Sequence, residues 1–167
     1  RFMITRAFEQ QQPLSERLSH LGAQNVCLAV NGFAAISSDS QQRMYRELNR
    51  YDWIILTSVN AVHFFLKGLE QHGGRITDLD TIKIACVGPV TTAAVKSMGL
   101  NVALEPAAFT SEGLLKAFAQ TAVKGSRMLL PRARVARPVL PDSLRMLQAH
   151  VDVVATYETR RIAGDPK

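Results

Sequence analysis

The segments RFMITRA, residues 1–7, and RMLLPRA, residues 127–133, open two stretches of the chain that align without a gap when one is shifted by 126 positions. The alignment covers residues 1–30 and 127–156, and it pairs Leu14 with Leu140 and Leu18 with Leu144. Each stretch has the pattern of a strand, an Arg-Ala turn, a helix and a second strand. Shared hydrophobic patterning is the alternative explanation, but the register matches arginines as well as leucines. We therefore predict an internal structural repeat.

Three further strand-helix units lie between the two copies, so the second copy completes a set of five strands. A parallel sheet that is covered by helices on both faces needs about this many strands. We predict an α/β fold in which residues 38–156 form one complete doubly wound domain. If the repeat aligns the two domains, the strand order is flavodoxin-like, namely 151–156, 127–130, 53–56, 82–87, 101–104.

The first copy supplies only two strands, which is too few for a sheet of its own. We therefore expect residues 1–32 to be the βαβ part of a second, split domain of the same kind, incomplete in this chain. Residues 33–37 and 157–167 would be the two strands of a hinge, and the natural protein would continue past Lys167. Within the first copy, Leu14, Leu18 and Leu21 share one helix face, and Asn31-Gly32 should end the second strand at Val30.

The composition favours a small anionic partner. The formal net charge is +6 and the isoelectric point is near 9.7, which attracts anions. The basic residues carry no nucleic-acid motif, so nucleic acid is not expected as a partner. The densest basic group, which lies near a strand-to-helix turn, suits a small polyanion, although a merely solvated basic loop is an equal alternative; it comprises Arg127, Arg132, Arg134 and Arg137.

No apolar run is long enough for a membrane span, and the four histidines show no metal-ligand spacing, so neither a membrane nor a metal is expected. Cys27 and Cys86 fall inside predicted strands. We expect both to be buried free thiols, which fits a reducing cytoplasm.

Three strand-to-helix turns are rich in hydroxyl side chains and glycine: residues 56–62, 87–93 and 109–113. Helix N-termini present free N–H groups and partial positive charge, so such turns bind carboxylate or phosphate. For any one of these turns, simple helix capping by Ser and Thr is the better explanation, because capping is so common. Three turns on one edge of a sheet favour an anion site. Tyr157 follows the last strand, where it could reach a cleft or pack on the hinge.

Several of these motifs resemble the uroporphyrinogen-III synthase family. They are ITRA (4–7), WIILTSVNAV (53–62), VGPVTTA (87–93), TSEGL (110–114) and VATYET (154–159). The resemblance implies two flavodoxin-like domains joined by a two-stranded linker. It also implies a cofactor-free lyase that cyclises hydroxymethylbilane to uroporphyrinogen III, with loss of water and inversion of ring D. Asn31-Gly32 stands where the family usually has a proline.

The resemblance also assigns roles to individual residues. Tyr157 would assist departure of the substrate hydroxyl. The linear tetrapyrrole, with its eight carboxylates, would be held by Thr57, Ser58, Asn60, Gly88, Thr91, Thr110, Ser111, Arg137, Arg6 and Arg132. A monomer in the cytoplasm is expected, with transient contact to the preceding enzyme of the pathway. The alternative is a non-catalytic, two-domain hinged binding protein for a small polyanion.

Overall fold

The computed structural model describes residues 1–162, except for the side chain of Glu9. The chain divides into two compact units. Unit 1 comprises residues 1–34 and the stretch from Glu158 onward, and unit 2 comprises Ala35–Tyr157. The chain therefore passes twice from one unit to the other.

Unit 1 contains a two-stranded parallel sheet and one helix. Strand β1 is Phe2–Ile4, helix α1 is Gln12–His20 and strand β2 is Asn25–Cys27. Strand β3, Asn31–Ala35, follows and leads into unit 2.

Unit 2 alternates strands and helices. Its elements, in chain order, are α2 (Asp39–Arg46), β4 (Trp53–Leu56), α3 (Val59–Gln71), β5 (Lys83–Cys86), α4 (Pro89–Ser97), α5 (Ser111–Ala119), β6 (Arg127–Ala133), α6 (Val139–Met146) and β7 (His150–Arg161). Short 3-10 turns lie at Leu48–Arg50 and Ile76–Leu79 in this unit, and at Phe8–Gln10 in unit 1.

The main sheet has the order β3-β7-β6-β4-β5, and its strands from β7 to β5 are parallel. This agrees with the first four strands of the predicted order, 151–156, 127–130, 53–56 and 82–87. The predicted strand 101–104 is reduced to a single bridge between Ala85 and Leu104. The N–H groups of both Ala103 and Leu104 point to the Ile84 carbonyl, so the even spacing of a parallel ladder is lost there.

The internal repeat is confirmed by the register of the strands. In the first copy Phe2 pairs with Asn25 and Ile4 with Cys27. In the second copy the pairs are Met128 with Val151 and Leu130 with Val153, each 126 positions further on. The two β-α-β units thus have the same register.

The ladder between β6 and β7 shifts by one residue near its end. Arg132 pairs with Ala155, but Ala133 pairs with Tyr157, so Thr156 has no partner of its own on β6. This is the arrangement of a β-bulge, which bends a strand and changes the direction of the next side chain. The Thr156 carbonyl instead accepts the N–H of Ile36.

The core of unit 2 surrounds β4, whose four residues are all buried. On one face the Trp53 ring meets the edge of Phe118 with centroids 5.2 Å apart, in a cluster to which α5 and α6 contribute Leu114 and Leu144. Helices α3 and α4 pack together outside this cluster. The sheet is therefore doubly wound, and burial of these large side chains stabilises unit 2.

Two predictions about unit 1 are wrong, the end of the second strand and the burial of Cys27. The second strand ends at Cys27, and Asn31-Gly32 begin β3 because the antiparallel partner β7 supplies hydrogen bonds, as from Ile162 N–H to the Val30 carbonyl. No residue of α1 is buried, and Leu21 is 83% exposed, so the helix face that includes Leu14 is not covered by the described residues. Cys27 is exposed for the same reason, whereas Cys86 is buried as predicted.

Among the described residues, no helix has the length and apolar character that crossing a bilayer requires.

Candidate functional site

The candidate site lies at the carboxyl edge of the main sheet. Because β4, β5, β6 and β7 are parallel, their carboxyl ends meet at one edge. Thr57 and Ser58 follow β4, Gly88 follows β5, and Arg132 lies at the end of β6. Neighbouring strands are about 4.8 Å apart, so the turns that follow them are adjacent.

Ser58 is the N-cap of α3. Its backbone is extended, and its side chain accepts the N–H of Ala61 at 3.1 Å. The same Oγ lies 3.3 Å from the Tyr157 hydroxyl, and either atom of this pair can donate. Ser58 therefore joins the start of α3 to β7, which the sequence places 99 residues apart. Asn60 lies in the first turn of α3 and is half-buried.

The Tyr157 ring packs on α3. It stacks on Phe64 with centroids 4.9 Å apart and planes inclined by 13°, and the residue is only 7% exposed. The sequence left open whether Tyr157 reaches a cleft or packs on the hinge, and its position matches neither alternative in full. The ring is buried within unit 2, while its oxygen lies beside Ser58 at the carboxyl edge.

The turns after β5 and before α5 are in close contact. A Cβ built on Gly88 would lie 3.1 Å from the Cβ of Phe109. Thr110 caps α5 by accepting the N–H of Gly113 at 3.0 Å, and Ser111 is the first helical residue. The predicted anion-binding groups at Gly88, Thr110 and Ser111 are thus neighbours.

Thr91, in contrast, is 7% exposed and faces into unit 2 from the first turn of α4. Its neighbour Thr92 donates its hydroxyl to the carboxylate of Glu105. Cys86 interacts with Thr92, and burial raises the pKa of its thiol to about 11. A contact between Thr91 and a ligand stays a prediction.

The four arginines that the sequence grouped together do not form one cluster. Arg127 begins β6 and Arg132 lies near its end, so they are separated by an extended chain of about 16 Å. The Arg132 guanidinium donates to the carbonyls of Ala136 and Arg137, and its partial burial lowers its pKa. Arg132 therefore holds the loop after β6, from which the side chain of Arg137 is exposed.

Arg6 belongs to unit 1, where it follows β1 and is exposed. Its carbonyl accepts the side-chain N–H of Gln11 at 2.7 Å. This contact fixes the turn after β1, which corresponds in the repeat to the turn at Arg132.

A concave surface of about 590 Å³ lies away from the carboxyl edge, between α2 and the amino-terminal half of β7. Four arginines line it, and three of them face carboxylates: Arg50 with Glu47, Arg127 with Asp152, and Arg145 with Asp142. These pairs satisfy much of its positive charge, so it is less suited to a polyanion than the carboxyl edge. No group of three or more His, Cys, Asp or Glu side chains within residues 1–162 is placed to hold a metal ion.

Sequence reasoning missed Phe64 and Glu105, and it gave Phe109 no role of its own within the turn 109–113. Phe64 follows His63 and precedes Phe65 in an apolar helix, so the helical pattern assigned it no separate role. A signal was available, because adjacent positions in a helix point about 100° apart. When Phe65 faces the core, as it does at 1% exposure, Phe64 must face a different neighbour.

Comparisons with known proteins agree with the motifs. The family model described as uroporphyrinogen-III synthase HemD matches residues 12–167. A uroporphyrinogen-III synthase of Synechococcus elongatus is 29% identical over 95% of this chain and 60% of its own length. The porphyrin biosynthesis protein HemD of Ruminiclostridium josui is 28% identical over 97% of this chain and 32% of its own length. The chain thus spans between about a third and three fifths of these relatives.

Solved structures of Thermus thermophilus uroporphyrinogen III synthase have the same fold. A mutant form superposes with a TM-score of 0.68 at 15% identity, covering 96% of this chain and 63% of that one. The wild-type form gives 0.62 at 16% identity, with 96% and 62% covered.

Proposed function

Because this chain belongs to the uroporphyrinogen-III synthase family, we propose that the protein that contains it cyclises hydroxymethylbilane to uroporphyrinogen III. The reaction releases water and inverts ring D, which makes the enzyme a lyase. The contact between Ser58 and Tyr157 carries this proposal, because it sets a phenol and a hydroxyl beside the N-terminus of α3 at the sheet edge.

The substrate fits the charge and the turns of this edge. Its eight carboxylates complement a chain of net charge +6. The starts of α3, α4 and α5 offer N–H and hydroxyl donors for carboxylates. The residues at these starts are Thr57, Asn60, Gly88, Thr110 and Ser111.

Basic side chains would complete the binding of the carboxylates. Arg137 is exposed on the loop after β6. Arg132 shapes that loop through its backbone contacts, and Arg6 would act from unit 1. Thr91 would contribute its hydroxyl from the first turn of α4, where it is 7% exposed.

The chemistry would begin with departure of the substrate hydroxyl as water. Tyr157 supplies the proton or hydrogen bond for this step, which general acids accelerate. An electron-rich carbon of the substrate's own ring D would then attack the resulting azafulvene cation, and the new carbon–carbon bond would give the spiro intermediate. The main contribution of the protein is to hold the flexible substrate so that the inverting closure is favoured, an effect of orientation.

Unit 1 would be part of a split flavodoxin-like domain, joined to unit 2 by β3 and β7. The apolar side chains of its two strands support this, because Met3 is 64% and Val26 is 59% exposed. Further strands of the natural protein would cover them. We also propose a monomer that contacts the preceding pathway enzyme transiently. A cytoplasmic location is proposed as well, and the two free thiols support it because they fit a reducing compartment.

The full-length protein should be incubated with freshly made hydroxymethylbilane, and the product isomers separated after oxidation. We expect the type III isomer, whereas a reaction without enzyme gives type I. Formation of type I alone would reject the enzyme. Binding of the substrate without any change in isomer ratio would support the hinged binding protein instead.

A further inference from the structure

The proton for the departing hydroxyl has a route that the family assignment does not specify. Resting on the proposed function, we propose that Ser58 is the group that meets the substrate hydroxyl, and that Tyr157 acts through Ser58 rather than by direct contact. The two oxygens would form a relay from the buried phenol to the edge of the sheet.

Tyr157 and Ser58 differ in how far they are exposed to solvent. Tyr157 is 7% exposed and its ring is covered by Phe64, whereas Ser58 is half-buried. A general acid must come within about 3.2 Å of the atom that takes its proton. Ser58 satisfies this more readily than Tyr157, because it is the less buried of the two and its oxygen lies at the start of α3, at the carboxyl edge.

The hydrogen-bonding capacity of Ser58 suits a relay. A serine hydroxyl has one hydrogen to donate and two lone pairs that accept. One lone pair accepts the N–H of Ala61 at 3.1 Å, and the other can accept the phenol hydrogen of Tyr157 across 3.3 Å. The hydrogen of Ser58 itself is then directed to a third partner, which we assign to the substrate hydroxyl.

Protons and electrons balance in the proposed transfer. As the carbon–oxygen bond of the substrate breaks, its electron pair leaves with the oxygen, which takes the Ser58 proton and departs as water. Ser58 takes the proton of Tyr157, which becomes a phenolate. The partial positive charge at the N-terminus of the 13-residue helix α3 favours negative charge at this position. The proton that the substrate ring loses on closure returns through the same two oxygens.

A double-mutant cycle in the full-length enzyme tests the relay. Ser58→Ala and Tyr157→Phe should each lower kcat about 100-fold, the scale of general acid catalysis, with KM changed by less than about threefold. Because both remove the same route, the double variant should lie within about threefold of either single one. Ser58→Thr keeps the hydroxyl and should restore most of kcat.

Two matched controls distinguish the loss of the relay from a general loss of stability. Ser38→Ala removes a serine that caps α2 in the same way, through the N–H of Gln41. Tyr45→Phe removes a buried phenol that donates to the Phe65 carbonyl at 2.8 Å. Both should lower the Tm and leave kcat unchanged.

The relay is overturned if Ser58→Ala keeps at least half of the wild-type kcat, if Tyr157→Phe does so, or if the two losses multiply. Production of the type III isomer by the wild-type enzyme in the same experiment keeps the proposed function standing when the relay fails. If the wild type itself gives type I alone, the proposed function fails first.

Discussion

The Phe64 ring lies almost parallel to the Tyr157 ring, with centroids 4.9 Å apart. Aromatic pairs of this kind contribute about 0.5–1.5 kcal/mol beyond the area that they bury. Phe64→Leu should therefore lower the free energy of unfolding by about 1 kcal/mol and, because the phenol loses its support, lower kcat several-fold. Denaturant unfolding and isomer assays measure the two effects.

Phe64→Tyr keeps a ring at this position and serves as the control, with kcat near the wild-type value. If Phe64→Leu lowers stability while kcat stays unchanged, the stacking is structural only and does not position the phenol.

Two glycines at the same edge should differ sharply in their tolerance of a methyl group. A Cβ on Gly113 would clash with the backbone carbonyl oxygen of Ala108, whereas a Cβ on Gly88 would meet the side chain of the exposed residue Phe109 at 3.1 Å. Gly113→Ala should cost about 1–3 kcal/mol of stability, as overpacking does. Gly88→Ala should cost less and instead raise KM, because the turn at Thr110 moves. Equal losses of stability would contradict this explanation.

The contacts of Arg132 predict a local effect on the loop after β6. Arg132→Gln removes the donors to the Ala136 and Arg137 carbonyls, so residues 133–138 should become accessible to proteases. Tryptic cleavage after Arg134 should accelerate, whereas Arg137 precedes Pro138 and resists trypsin. Arg137→Gln should raise KM without faster cleavage after Arg134. The reverse pattern would assign the substrate contact to Arg132.

The two cysteines should differ in reactivity. The thiolate is the reactive form, and burial raises the pKa of Cys86 to about 11, while Cys27 is exposed. At pH 8 the native protein should react rapidly at one thiol per chain among these two, and at both in denaturant. Cys27→Ser should abolish the rapid reaction. A rapid reaction that persists in this variant would show that Cys86 is accessible.

The raised pKa of Cys86 also predicts how the free energy of unfolding changes at alkaline pH. The ordinary pKa of the thiol is 9.0 and the folded value is about 11, so the folded protein keeps a proton that the unfolded chain releases. The contribution of Cys86 to stability is therefore complete below pH 9 and is lost as the pH rises toward 11. Cys86→Ala should make the fall in unfolding free energy over this range less steep. An unchanged slope would show that other groups, such as the buried phenols, account for it.

The sequence predicted the parts of the fold that follow from chain order and periodicity. The shift of 126 positions predicted which strands pair, and the apolar run at β4 predicted a central strand. The end of the second strand was mispredicted because Asn31-Gly32 usually breaks a strand, whereas pairing with β7, far away in sequence, overrides that local tendency.

The sequence predicted the helix starts that form the candidate site, but not the contacts between them. Ser58 and Thr110 were recognised at helix starts, because capping is a local property. The stacking of Phe64 on Tyr157 and the contact between Gly88 and Phe109 join distant segments. No local pattern predicts them. Cys27 was predicted to be buried because apolar strands normally are, but too few of the described residues surround β2 to cover it.

The one-residue shift at Thr156 makes the site dependent on the exact count of residues in β7. Side chains along a strand alternate between the two faces, so the unpaired residue decides on which side of the sheet the phenol emerges. A chain one residue shorter at this point could keep every hydrogen bond of an uninterrupted ladder and still turn Tyr157 away from α3. The number of residues in β7 before Tyr157 therefore constrains the chemistry. An alignment of related chains that places a gap in this strand would match Tyr157 with a residue on the other face of the sheet.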